Sequence, residues 1–406
     1  AEGCPLTKDL FKFVAGRGNL DACKKLKSMN CPWDSKTCAA AALGGHLELL
    51  KWLRAGDNPC PWHSGSFYAT SDGAPEALAW MNRGSRPHAW GGWSNCCEAA
   101  AEGGHLDVLK WLRAGEEEPC PWDEGTCLVA AAEGHLEMLE WLRGGEDPCP
   151  WGRMTCATAA GEGHLEVLQW LREGAEPCPW DGLTFHAAAR EGHLEILQWL
   201  RQGPDPCPWN EATCSTAAFR GQLEALQLLR EGPNPCPWDE DTCAAAAEGG
   251  HLETLQWLRQ GPDVCPWDER TCHVAAEGGH WEMLQWARGG EEPCPWDEDT
   301  CRAAAKEGHL EILQWLRGGE EEPCPWDEQT CSAAAFNGHL KLLQWLRGNE
   351  QEEPCPWDEG TCYAAAMGGQ LETLQWLREG TEPCPWDEGT CEAAAREGHL
   401  NVLKWL

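Results

Sequence analysis

The triplet Cys-Pro-Trp recurs along the chain, beginning at Cys31, Cys60, Cys120, Cys149, Cys178, Cys207, Cys236, Cys265, Cys294, Cys324, Cys355 and Cys384. The steps are mostly 29 residues and lengthen to 30 and 31 near the end. A fixed period of this size constrains the fold more than any other feature. Each copy is one supersecondary unit too small to bury a core alone, so neighbouring copies must stack. The 60-residue gap from Cys60 to Cys120 holds a degenerate copy with His88-Ala89-Trp90 in place of the triplet. Cys4-Pro5-Leu6 opens another. The expected architecture is one continuous all-α solenoid of about 14 helix-turn-helix repeats over residues 1–406. Residues 1–30 form a divergent basic repeat, 60–119 two degenerate repeats, and 120–406 regular repeats with the last one truncated.

Composition follows from the repetition: 27 Trp stand against 6 Phe and 2 Tyr, and there are 26 Cys. With 42% apolar and 24% charged residues the chain can bury a core. A formal charge of −35 argues against a nucleic-acid backbone or an anionic lipid surface as main partner, because both would be repelled. No run approaches the ~18 apolar residues of a membrane-spanning helix. The first 30 residues hold six Lys/Arg and three Asp/Glu, a net of +3, so the rest carries −38. The chain opens on Ala1 with no signal-type segment and stops within a helical pattern at Trp405-Leu406, which reads as a processed or partial chain.

The copy starting at Cys236 shows the local logic. Pro237 blocks a preceding helix, Asp239 is a good N-cap, and Glu240 suits the first-turn dipole. An Ala run sustains a short helix that Gly249-Gly250 ends. A second helix from His251 to Arg259 carries Leu252, Leu255, Trp257 and Leu258 on a wide apolar face. Neither helix is long enough to be stable alone.

Thr-Cys-x-x-Ala-Ala followed by Gly-His-Leu-Glu-x-Leu-x-x-Leu, as at Gly134-His135-Leu136-Glu137 and Gly163-His164-Leu165-Glu166, resembles the ankyrin repeat over nearly the whole chain. The unit is shorter than the ~33 residues of that family. Its Thr-Pro-Leu-His turn is replaced by Thr-Cys-x-x, and its β-hairpin by an acidic, Pro-rich loop. Such variants are similar to ankyrin-like arrays of algae, other protists and giant viruses. The resemblance implies a non-catalytic module that binds proteins along one side of its first helices.

The repeated residues read as structural. Two Trp series, Trp33 to Trp386 after the prolines and Trp52 to Trp405 on the second helices, are expected as buried core ladders. The paired cysteines, such as Cys236 and Cys243, leave disulfides, zinc or buried free thiols open. Phe11, Phe67 and Phe185 replace the second cysteine, and Phe can stand in for a buried apolar group but not a ligand or bridge partner. Reduced core thiols are therefore expected, with no metal and no cofactor, in a reducing intracellular compartment. Gln222 and Gln370 replace the turn histidine, so that residue is expected to donate a hydrogen bond rather than to titrate. No catalytic constellation stands out, and the chain is expected not to be an enzyme.

Specificity in an array resides where copies differ. On the first helix these are the residue before Thr-Cys and the residue after Cys. The candidate partner-binding residues are Leu183, His186, Arg270, His273, Arg302 and Tyr363. The aromatic-rich stretch 60–97 reads either as a decayed unit or as a recognition patch. The expected function is a protein-interaction scaffold whose partner carries a basic surface matching the Asp-Glu edge. Two alternatives are a structural subunit of a large algal photosynthetic or organellar assembly, and a thiol-rich redox or metal-buffering protein.

Overall fold

The structure, a computed structural model, describes residues 6–55, 60, 96–114, 119, 122–202, 207–318, 323–348, 354–379 and 382–406. Among these residues it contains 26 helices in thirteen consecutive pairs and no strand. Two compact halves, Ala1–Trp209 and Asn210–Leu406, are each built the same way.

In the N-terminal half the first helices of successive repeats are α1 (Lys8–Gly16), α3 (Ser35–Leu43), α5 (Cys96–Glu102), α7 (Glu124–Ala132), α9 (Arg153–Gly161) and α11 (Gly182–Glu191). Their partners are α2 (Leu20–Ser28), α4 (Leu47–Arg54), α6 (Leu106–Arg113), α8 (Leu136–Arg143), α10 (Leu165–Arg172) and α12 (Leu194–Gln202). In the C-terminal half the first helices are α13 (Glu211–Phe219), α15 (Glu240–Glu248), α17 (Glu269–Glu277), α19 (Glu298–Glu307), α21 (Glu328–Phe336), α23 (Glu359–Met367) and α25 (Glu388–Arg396). Their partners are α14 (Leu223–Arg230), α16 (Leu252–Leu258), α18 (Trp281–Arg288), α20 (Leu310–Gly318), α22 (Leu340–Leu346), α24 (Leu371–Arg378) and α26 (Leu400–Trp405). Within each half, every first helix packs on the first helix before it and on its own partner.

Local chemistry explains each pair. Asp34 caps α3 through the Lys36 N–H at 3.1 Å, and the buried Thr37 hydroxyl accepts from the Asp34 N–H at 3.4 Å. That exchange closes a capping box in which Thr plays the part usually given to Glu or Gln. Between the helices a glycine takes the left-handed conformation, as at Gly369 with φ 70°. The chain there turns tightly under the ring of His399 from the following repeat, and a Cβ would collide with that ring.

The core consists of the Ala runs and cysteines of the first helices and the Leu rows of the second. The tryptophans are not in it, contrary to the expectation of two core ladders. No described tryptophan is buried. The described Pro-Trp rings instead meet the second-helix ring of their own repeat edge-on, as in Trp122–Trp141 at 5.9 Å and Trp238–Trp257 at 6.0 Å, except Trp209, whose repeat has Leu228 in that slot and which meets Phe185. An arginine from the preceding repeat then lies on the Pro-Trp ring: Arg143 is 3.9 Å from Trp151, and Arg259 is 4.0 Å from Trp267. A ring this large would force apart first helices that approach through alanine, so the aromatics form a half-exposed clamp beside the core.

The repeat that opens at Cys60 departs most. Cys60 Sγ donates to Asp34 O at 3.0 Å, the contact made by the first cysteine of a next repeat, and α5 packs directly on α3. His105, at the turn after α5, reaches Leu43 O at 2.9 Å. Cys60, α5 and α6 thus supply the contacts of a single repeat, which gives thirteen helix pairs among the described residues where sequence spacing alone suggested about fourteen. Thirty-six residues separate Cys60 from Cys97, against six between the paired cysteines elsewhere. Apart from Cys96 they lie outside the described residues, as do most residues of the aromatic-rich stretch 60–97.

Candidate partner-binding face

Three kinds of polar contact lock one repeat to the next. The turn histidine donates from Nε2 to a carbonyl at the end of the preceding first helix, as in His164 to Ala132 O (2.9 Å) and His339 to Lys306 O (2.9 Å). Gln370 makes the same contact from Nε2 to Phe336 O at 3.3 Å, which explains why glutamine substitutes there. The first cysteine donates to the carbonyl of the preceding N-cap: Cys265 Sγ to Asp239 O is 3.3 Å. The arginine under each Pro-Trp ring donates Nη1 to the carbonyl of that triplet's cysteine, as in Arg259 to Cys265 O at 2.6 Å.

Every described cysteine is a free thiol, and all but Cys391 are buried. Cys236 and Cys243 are both in this state. Close thiol neighbours, however, are joined across repeats rather than within one. Cys243 contacts Cys265, with Sγ 3.8 Å from Cys265 O, and Cys214 contacts Cys236 in the same way. The hydrogen bond with Cys265, and then burial, push the Cys243 thiol above its usual range. Among the described residues no group of three or more His, Cys, Asp or Glu is placed to hold a metal. No described helix is long and apolar enough to cross a membrane.

With those residues committed, the first-helix face carries what varies. In the N-terminal half, Leu183 and His186 lie half-buried on α11. Burial, and then the Arg190 charge one turn on, lower the His186 pKa. In the C-terminal half, Arg270 of α17 is exposed and pairs with Asp241 of α15. Arg302 of α19 pairs with Asp299 on its own helix. His273 Nε2 is 3.7 Å from Glu277, which in turn receives Lys306 of α19 at 2.6 Å. The hydrogen bond from Lys306 holds the Glu277 carboxyl below its usual range. Tyr363 is half-buried on α23, and its ring faces the side-chain-free Gly389 of α25. Arg270, His273 and Arg302 thus each sit in an ion pair of their own on neighbouring helices, with Tyr363 two first helices beyond Arg302. Leu183 and His186 belong to the other half.

A third variable row escaped the sequence reading. Four residues after each first-row-plus-three position come Arg190 on α11 and, in the C-terminal half, Phe219, Glu248, Glu277, Lys306, Phe336, Met367 and Arg396. The i, i+4 relation to His186, Ser215, Ala244, His273, Arg302, Ser332, Tyr363 and Glu392 puts them on the same helix face. That spacing was present in the sequence. It was masked because the row sits next to the turn glycines, where side chains read as helix ends.

Tandem helix pairs joined by carbonyl-directed contacts define a helix-pair repeat protein. Residues 127–210 match the family described as ankyrin repeats (3 copies), and the other described helix pairs are built to the same pattern. Comparison with curated proteins gave no match. Among solved structures, the pentatricopeptide repeat protein PPR10 from maize aligns at 14% identity with a TM-score of 0.33. The alignment covers 97% of this chain and 62% of that one.

Proposed function

We propose that this chain is a protein-interaction scaffold that engages its partner through the variable rows of the first helices. Ankyrin repeats are an interaction module without catalysis of their own, and they support a scaffold role in general. The observation that carries the finer reading is the division of labour within each repeat. Trp, Leu, Ala, Cys, His and Arg side chains are held in stacking contacts, whereas Leu183, His186, Arg270, His273, Arg302 and Tyr363 change identity from copy to copy. The net charge of −35 favours a partner with a basic surface and a salt-sensitive association rate.

The direct test is the triple substitution Arg270→Ala, Arg302→Ala and Tyr363→Ala. Affinity for the native partner should fall at least tenfold, while thermal stability shifts by less than about 1 kcal/mol, because surface positions outside the stacking contacts are close to neutral. Unchanged affinity would remove this face from the binding site.

A further inference from the structure

The variable face of the C-terminal half changes character along its length. On α15, α17 and α19 the variable rows carry ion pairs, Asp241 with Arg270, Glu277 with Lys306 and Asp299 with Arg302, while the helix-start Glu240, Glu269 and Glu298 are exposed and in no ion pair among the described residues. On α21, α23 and α25 the variable rows form no ion pair among the described residues. There the middle of the face is apolar, made of Phe336, Tyr363 and Met367. Phe336 is 41% exposed at a position where the neighbouring helices carry Lys306 and Met367. Gly389, in the first variable row of α25, presents no side chain beside the Tyr363 ring, and Gly360 likewise leaves its position on α23 bare. The helix starts that flank this strip carry Glu328, Glu359 and Glu388, all exposed and none with an ion-pair partner among the described residues. Residues 320–406 hold 17 Asp/Glu against five Lys/Arg, a net of −12.

We propose that the face of α21, α23 and α25 docks a basic segment of a partner protein, with one apolar or aromatic side chain seated on Phe336, Tyr363 and Met367 and flanking Lys/Arg residues against Glu328, Glu359 and Glu388. An uncovered aromatic next to side-chain-free positions supplies a desolvated anchor point. The row of unpaired carboxylates beside it selects for positive charge and repels acidic segments. The neighbouring stretch has the same helix-start glutamates, but ion-paired Glu277 and Lys306 stand where this one has Phe336 and Met367, so it lacks the apolar anchor. The proposal rests on the reading of the first-helix face as the binding side, and it narrows that reading to one place and one partner chemistry.

The test uses the full chain and three labelled twelve-residue peptides, read by fluorescence anisotropy at two salt concentrations. One peptide carries four Lys/Arg around a central Phe and Leu. The second has both apolar residues replaced by Ser, and the third keeps them but has Glu in place of the basic residues. The first peptide should bind at least tenfold more tightly than either control. The double variant Phe336→Ser/Met367→Ser should lose that tenfold advantage while binding the second peptide as before. The triple variant Glu328→Gln/Glu359→Gln/Glu388→Gln should flatten the salt dependence. Equal binding of the first two peptides by the unaltered chain, or full retention of the advantage by the double variant, overturns the proposal. With the native partner the two ideas separate. Loss of binding on changing Arg270, Arg302 and Tyr363 but not Phe336 and Met367 overturns this proposal alone, and loss on neither set overturns the broader reading as well.

Discussion

A single arginine per repeat performs two tasks at once. Arg259 stacks on Trp267 at 4.0 Å and donates to Cys265 O at 2.6 Å. Cation–π contact at a half-exposed site contributes roughly 0.5–2 kcal/mol, and an orphaned carbonyl costs about 1–3 kcal/mol. Arg259→Ala should therefore destabilise the C-terminal half by about 1–3 kcal/mol in urea unfolding. Arg259→Lys should recover only part of this, because an ammonium cannot lie flat on the ring and reach the carbonyl together. The histidines make a parallel case. His309→Gln should be close to neutral, as Gln370 already shows the amide can serve, whereas His309→Ala should cost about 1–2 kcal/mol by stranding Glu277 O. The role of the histidine was legible in the sequence from its exchange with glutamine. The role of the arginine was not, because in sequence it reads as a last-turn residue suited to the helix dipole, and its ring partner lies eight residues ahead across a loop. The tryptophans misled for a related reason. One ring per repeat in register is what a ladder requires, but period alone does not say whether the ladder lies inside the core or beside it.

At the scale of the helix, register between neighbours matters more than the single element. Glu133, Glu162 and Glu191 fall at the ends of α7, α9 and α11. Burial first, then the Glu191 and Glu133 charges, raise the Glu162 carboxyl above its usual range. A carboxylate at a helix C-terminus also opposes the dipole. A raised folded-state value means that the folded chain takes up the proton first. Stability should accordingly rise as the pH falls through the folded value, and level off below the unfolded one. Glu162→Gln should raise the melting temperature slightly at pH 7, by a few tenths of a kcal/mol, and the difference should vanish near pH 4. An unchanged difference across that range would refute the electrostatic account. Helix boundaries, caps and turns were all legible from Pro, Asp, Thr and Gly spacing. The cysteine partnerships were not. Sequence places Cys236 beside Cys243, whereas stacking places Cys243 beside Cys265, because a first-helix residue looks toward the next layer.

The whole molecule is an array in which one repeat differs by an insertion. Cys60 and α5 both pack on α3, so the described residues on either side of 61–95 already make the contacts of one repeat with α3. Replacing residues 61–96 by Pro-Trp-Asp-Glu-Asp-Thr should preserve the helical circular dichroism spectrum and lower the melting temperature by no more than a few degrees. A collapse in helicity would mean that the intervening residues supply stacking contacts of their own. The solenoid class was legible from period alone. The number of stacked layers was not, because a 60-residue gap reads equally well as two worn copies or as one copy with extra chain.

The contacts of His164, Cys265 and Arg259 to neighbouring layers all end on main-chain carbonyls. Every residue type offers that acceptor. These contacts place no demand on the side-chain identity of the layer they meet; the one side-chain-specific match, arginine on the next Pro-Trp ring, recurs from Arg113–Trp122 to Arg378–Trp386, so the regular copies already satisfy it. Units of this kind are interchangeable parts. Copies can be duplicated, deleted or shuffled by recombination within the gene without compensating changes next door, and the length of the array can drift between lineages while its binding rows are rewritten one copy at a time.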